Sequence, residues 1–129
     1  MIKISKKAEY GLTAMVNLAK NKNKRAISIR EISNNEDVPY EFLCKIFSDL
    51  ERAKLVTSKH GANGGYYLAK PANKITAGNI VEILDGKISP VECTLCKKAD
   101  KCMSKNVWDK VKNTLSKTLY SIKLADLVK

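Results

Sequence analysis

The stretch from Pro39 to Ala53 constrains this chain more than any other. Leu43, Ile46, Phe47, Leu50 and Ala53 recur at helical spacing and form one apolar stripe. Tyr40, Glu41, Cys44, Lys45, Ser48 and Arg52 are left facing outward or to the flanks. Pro39 suits the first position of this helix, where its missing N–H costs nothing. Upstream, Ser28-Ile29-Arg30-Glu31 reads as a capping box opening a short helix that contains Ile29 and Ile32. Asn34-Asn35-Glu36-Asp37 then stops that helix. A short helix, a tight turn and a longer helix with a polar outer face make a helix-turn-helix. On this segment alone, an ordinary helical hairpin is the alternative.

The following residues favour the first reading. Leu55-Val56-Thr57-Ser58-Lys59 and Tyr66-Tyr67-Leu68-Ala69-Lys70 read as two strands joined by His60-Gly61-Ala62-Asn63-Gly64-Gly65, a β-hairpin. Glycines there permit positive φ and let the backbone approach a ligand such as phosphate. A helix-turn-helix followed by a basic hairpin is the order of a winged-helix DNA-binding domain. The Gly pair is otherwise only a turn, but Lys59, His60 and Lys70 beside it favour a polyanion. No helix follows the glycines directly, which argues against a nucleotide site.

Charge points the same way. Twenty-four Lys and Arg face thirteen Asp and Glu, a net charge of +11. An excess that large in a small domain suggests nucleic acid; a solvated Lys-rich surface is the alternative. Apolar residues at 44% and charged residues at 29% fit a globular chain. No run of about 18 apolar residues is present, and charges interrupt any signal-peptide core at the N-terminus. The expectation is a cytoplasmic protein with no membrane partner. One His leaves little room for His-based hydrolysis, and no nucleophile–base pair is apparent, so no enzyme activity is expected.

The remaining elements frame this core. Ser5 is the expected cap of a first helix with Ala8, Leu12, Met15, Val16 and Ala19 on one face. Ala26 to Ile29 suggests a short strand. Thr76 is the expected cap of a fourth helix containing Ile80, Val81, Ile83 and Leu84, ended by Asp85-Gly86. From Ser104 to about Leu124 a long helix carries Val107, Val111, Leu115, Leu119 and Ile122, with Trp108 and Leu124 widening the stripe. Too little domain remains to cover it, so it is expected to pack on a second chain in a two-fold dimer. The alternative is that it folds back on its own domain. The fold expected is mainly α with a small β-hairpin wing: a winged helix-turn-helix domain over 1–86, a cysteine-rich loop over 87–103, and a dimerisation helix and tail over 104–129.

Cys93, Cys96 and Cys102 have the spacing C-x2-C-x5-C. Three cysteines this close in a cytosolic protein more often bind a metal or cluster than form disulfides. Lys97, Lys98, Lys101 and Lys105 favour thiolates. Structural zinc normally takes four N or S ligands, and the single His60 lies in the expected wing. An iron–sulfur cluster fits better, because an oxygen ligand or small thiol can complete it. Zinc and simple thiol redox chemistry stay open.

These parts together resemble the Rrf-two family of bacterial winged-helix repressors, over nearly the whole chain. The resemblance rests on Ala8-Glu9-Tyr10-Gly11-Leu12, on Val38-Pro39-Tyr40-Glu41-Phe42-Leu43 through Phe47, and on Leu50 to Val56. It continues through Gly61-Ala62-Asn63-Gly64-Gly65-Tyr66-Tyr67-Leu68-Ala69-Lys70-Pro71, Ile75-Thr76 to Gly86, and the Cys-x5-Trp ending. The resemblance implies a homodimer that binds palindromic double-stranded DNA. It also implies that a cluster in the Cys loop senses iron, nitric oxide or redox state. Three departures stand out. The wing lacks the family's usual Arg, with Lys59 and His60 near its place. The first cysteine gap is two residues where the iron–sulfur-biogenesis regulators have five, and Lys105 occupies the position of their ligand His. Glu9 matches the position at which the family's nitric-oxide sensors supply an oxygen ligand from the other subunit; a plain helix-end carboxylate is the alternative. The fourth ligand is thus expected to be Glu9, a solvent-derived ligand or a small thiol, with 4Fe-4S favoured over 2Fe-2S.

The expected DNA-binding residues are Ser28, Arg30, Pro39, Tyr40, Glu41, Cys44, Lys45, Lys59, His60, Asn63 and Gly64. Two rival functions remain. One is a small iron–sulfur redox protein; the other is a cluster-free regulator of cysteine metabolism acting through a partner enzyme.

Overall fold

Side-chain caps start the first, second and fourth of five α-helices in the computed structural model, which describes residues 4–21, 25–88 and 104–128. The Ser5 hydroxyl accepts the Ala8 N–H at 3.1 Å and opens α1 (Lys6–Ala19). The Ser28 hydroxyl accepts the Glu31 N–H at 3.0 Å and opens α2 (Ile29–Glu36). Glu31 does not complete the expected capping box. Its carboxylate pairs with Arg25 at 3.0 Å instead, because a full positive charge outbids a single backbone N–H. Asp37 ends α2 in the left-handed region, φ 54°. Pro39 sits one residue outside α3 (Tyr40–Arg52), as its N-cap and not its first helical residue.

The hairpin is β1 (Val56–Lys59) paired antiparallel with β2 (Gly65–Leu68), Val56 opposite Leu68 and Lys59 opposite Gly65. Of the short strand expected around Ala26, only Ile27 pairs, exchanging two backbone hydrogen bonds with Tyr66 at 2.9 and 2.8 Å. Thr76 and Asn79 form a true capping box on α4 (Ala77–Asp85).

The core lies where α1, α3 and α4 converge. Met15, Leu43, Ile46, Phe47, Leu50 and Ile80 are fully buried there. The buried face of α1 is Ala8, Gly11, Ala14, Met15 and Leu18. That face is rotated from the expected one, since Leu12, Val16 and Ala19 are only partly buried. Gly11 explains the rotation: a Cβ there would come within 2.0 Å of a Leu84 methyl, so α4 leans directly on the α1 backbone.

The long helix α5 (Lys105–Ser121) ends earlier than the apolar spacing implies. Beyond it the chain turns back. The Ile122 carbonyl accepts the Ala77 N–H at 2.8 Å, and the Leu124 N–H donates to Ile75 at 2.7 Å. Leu124, expected on the helical stripe, is instead fully buried in the core. At the same end the Tyr120 ring lies on Gly78, and its hydroxyl donates to the Glu82 carboxylate. No residue of α5 itself is buried. The helix is anchored at its C-terminal end; along its stripe Val107 is exposed, while Trp108, Val111, Leu115 and Leu119 are half-buried.

Candidate nucleic-acid interface

The outer face of α3 is presented by the burial of its inner face. Tyr40, Glu41, Lys45 and Ser48 are exposed, and Cys44 is half-buried at the edge of that face. Cys44 carries a free thiol. Lys7 holds Asp49 from α1 and keeps its carboxyl below the usual range, chiefly by hydrogen bonding.

Two contacts fix the wing against α3 and a third ties it to the start of α2. The Ser58 N–H donates to the Glu51 carboxylate at 3.1 Å, so the end of α3 grips β1. Tyr66 of β2 stacks on the core residue Phe47 with ring centroids 4.7 Å apart. Burial, with the Glu51 carboxylate adding to it, pushes the Tyr66 phenol up. Tyr66 also bonds Ile27, the residue before the α2 cap. This close approach requires Gly65: a Cβ there would meet the Ile27 carbonyl at 2.4 Å. The wing is thus joined to both helices of the helix-turn-helix.

Two clefts flank the hairpin. One, of about 330 Å³, is lined by Ser28, Ile29, Arg30, Tyr40, Lys59, His60, Gly61, Gly64, Gly65 and Tyr66. The other, of about 460 Å³, is lined by Arg25, Ala26, Ser28, Glu31, Lys59, Ala62, Asn63 and Gly64. The structure thus brings Ser28, Arg30, Tyr40, Lys59, His60, Asn63 and Gly64 to the two walls of the wing. Glu41, Cys44 and Lys45 stand apart on the α3 face, and Pro39 is exposed at its start. Arg25 and Tyr66 were missed by sequence reasoning. Arg25 sits in a polar turn with no periodic signal, and Tyr66 looked like an ordinary strand residue. The arrangement offers cations and open backbone to a polyanion on one side of the molecule.

Glu9 lies in the first turn of α1, exposed, with Lys6 at 3.3 Å. It lines neither cleft. Cys93, Cys96 and Cys102 lie outside the described residues. Among the described residues, no group of three or more His, Cys, Asp or Glu side chains is placed to hold a metal ion. No helix among them is long and apolar enough to cross a membrane.

A three-helix helix-turn-helix core with a hairpin fixed to it is a winged helix, the fold class of many DNA-binding regulators. Residues 4–129 match the family described as "Rrf2: Iron-dependent Transcriptional regulator". The chain belongs to that family. It is 36% identical over 126 residues to the HTH-type transcriptional regulator CymR of Bacillus subtilis (strain 168), covering 98% of this chain and 89% of the relative. The solved structure of CymR, "the Global Cysteine Regulator of B. subtilis", superposes with a TM-score of 0.85 at 37% identity, covering 99% of this chain and 97% of that one. The IscR structure from T. potens gives a TM-score of 0.83 at 34% identity, covering 98% and 85%.

Proposed function

We propose that this transcriptional regulator is a homodimeric repressor that binds palindromic duplex DNA, each α3 entering a major groove and each wing following the adjacent backbone. The observation that carries the reading is the cationic pair of clefts beside the exposed α3 face. Phosphate contacts supply much of the affinity and make it fall with salt. The second copy is assigned to the partly covered stripe of α5, where Val107 is exposed and Trp108, Val111 and Leu115 are half-buried. The test is duplex binding measured against salt concentration. Lys59→Ala should lower the salt slope by about one unit; an unchanged affinity and slope rejects the wing assignment.

The switch proposed is an iron–sulfur cluster held by Cys93, Cys96 and Cys102, with Glu9 of the partner subunit as the candidate fourth ligand. The donor set fits: three thiolates suit iron, and an exposed ion pair such as Glu9–Lys6 is worth at most about 1 kcal/mol, so it does not tie the carboxylate down. The description of the family as iron-dependent supports the same reading. When bound, the cluster supplies a redox- or ligand-reactive iron. Under anaerobic purification, Cys96→Ala should lose iron and sulfide, while Glu9→Ala should keep iron with an altered visible spectrum. Full iron and sulfide in Cys96→Ala rejects the ligand set. A second reading rests on the likeness to a cysteine regulator: a cluster-free repressor controlled through a partner enzyme. Colourless protein that co-purifies with an enzyme of cysteine metabolism would favour it.

A further inference from the structure

Arg30 and Tyr40 come from different helices and meet face to face. The Arg30 guanidinium lies over the Tyr40 ring, 4.3 Å from its centroid. The ring belongs to the first residue of α3 and is 39% exposed. Both side chains line the smaller cleft, together with Lys59 and His60 from the wing. Among the described residues, no carboxylate lines that cleft. The contrast with the neighbouring cleft is direct: there Arg25 is neutralised by Glu31. Among the described residues, Arg30 has no ion-pair partner. It is a cation whose plane is set by an aromatic face and whose donors have no carboxylate to answer them.

We propose that Arg30 and Tyr40 form a stacked clamp for one backbone phosphate of duplex DNA, seated in the cleft between α2 and the wing. This inference rests on the DNA-binding reading above and deepens it. A guanidinium offers a planar fork of donors that matches a phosphate's oxygens two at a time. Left on its flexible stem, it loses rotamer freedom when it binds. Stacking on Tyr40 restricts those rotamers beforehand. Tyr40 is therefore a positioning residue, acting through Arg30 and through its ring, not its hydroxyl. On the opposite wall Gly61, Gly64 and Gly65 present bare backbone between the side chains of Lys59, His60 and Tyr66. At Gly64 a Cβ would meet the Lys59 carbonyl at 2.4 Å, so that position has room only for backbone. The clamp fixes the start of α3 relative to one strand and so sets the depth at which Glu41, Cys44 and Lys45 enter the groove.

The experiment is fluorescence anisotropy of the full chain with a short mixed-sequence duplex, titrated over a range of salt. Arg30→Ala should weaken binding about tenfold and lower the salt slope by about one unit. Arg30→Lys keeps the charge but not the fork, so it should recover the slope and not the affinity. Tyr40→Leu should weaken binding about threefold, while Tyr40→Phe, which keeps the ring, should bind like wild type. Adding Tyr40→Leu to Arg30→Ala should cost nothing further, because the ring acts only through the guanidinium. Both residues sit at the surface, and an unchanged thermal midpoint confirms that each variant is folded. The clamp is overturned if Arg30→Ala binds like wild type while Lys45→Ala or Lys59→Ala does not. It is equally overturned if Tyr40→Leu weakens binding as much without Arg30 as with it. A wild-type chain that ignores duplex DNA at low salt removes the clamp and the DNA-binding reading together.

Discussion

In α3, Leu43, Ile46, Phe47 and Leu50 are each 0% exposed, whereas in α5 Val107 is 55% exposed and no residue is buried. Both helices carry an apolar stripe along one face. The stripe of α3 is enclosed by α1, α2, α4 and β1, while among the described elements the main neighbour of α5 is α4. Periodicity states that a helix has a face to cover. It does not state what covers it. In α3 the cover comes from its own chain, and the polar face is left for a ligand. Along α5, Val107 is exposed and Trp108, Val111, Leu115 and Leu119 are only half-buried, while Tyr120 on Gly78 and the return of Ile122 and Leu124 hold its C-terminal end. The apolar face of α3 is thus satisfied within its own chain, and that of the candidate dimer helix only in part.

The largest test of this contrast is Phe47→Ala. It empties a fully buried site and removes the stack under Tyr66. Urea denaturation should show a loss of about 3–5 kcal/mol; a loss under about 1 kcal/mol would mean that α3 is not the centre of the core. The counterpart is Leu115→Asp on α5, which places a charge on the proposed seam. It should weaken self-association at least about a hundredfold by sedimentation equilibrium while the circular dichroism of the folded chain persists. A wild-type chain that stays monomeric at high concentration would break the comparison outright.

A smaller effect tests the root of α5. A Cβ at Gly78 would come within 2.5 Å of the Tyr120 ring. Overpacking costs about 1–3 kcal/mol, and alanine returns about 1 kcal/mol of helix propensity. Gly78→Ala should therefore destabilise by about 1 kcal/mol net in urea titrations and break the Tyr120–Glu82 hydrogen bond. Stabilisation instead would show that the ring moves aside freely.

The smallest effect is a pH dependence. The hydrogen bond to Glu82, followed by burial, pushes the Tyr120 phenol from its ordinary 10.0 up to about 12. A phenol raised by folding contributes stability that is fully present below pH 10 and is lost as pH rises through about 12. Ultraviolet titration should show a tyrosine ionising near pH 12 that disappears in Tyr120→Phe, while the raised ionisation of Tyr66 stays in place. An unchanged titration curve in that variant would detach Tyr120 from Glu82.

Much of this was legible locally. Capping needs a side chain within three residues of a free N–H, so Ser5, Ser28 and Thr76 could be read from the order of residues. The stripe of α3 and the hairpin around Gly64-Gly65 follow from periods of 3.6 and 2, which are properties of a single segment. The cysteine triad was equally legible as a spacing, and it lies outside the described residues. What stayed hidden involves partners far along the chain. Glu31 chose Arg25 over its own helix end. The buried face of α1 was set by Leu84 leaning on Gly11.

The sequence by itself determined the order of the helices and the hairpin, the capping side chains of α1, α2 and α4, the polar outer face of α3 and the basic wing, because each depends on backbone geometry and neighbours within a few residues. Only the tertiary structure decided that Ile27 would bond Tyr66, that Leu124 would leave the long helix for the core, and that Arg30 would lie over Tyr40. Those outcomes are set by close packing. A guanidinium, a ring or a leucine has many surfaces it can satisfy, and which one it meets depends on how the helices fill space around a shared core.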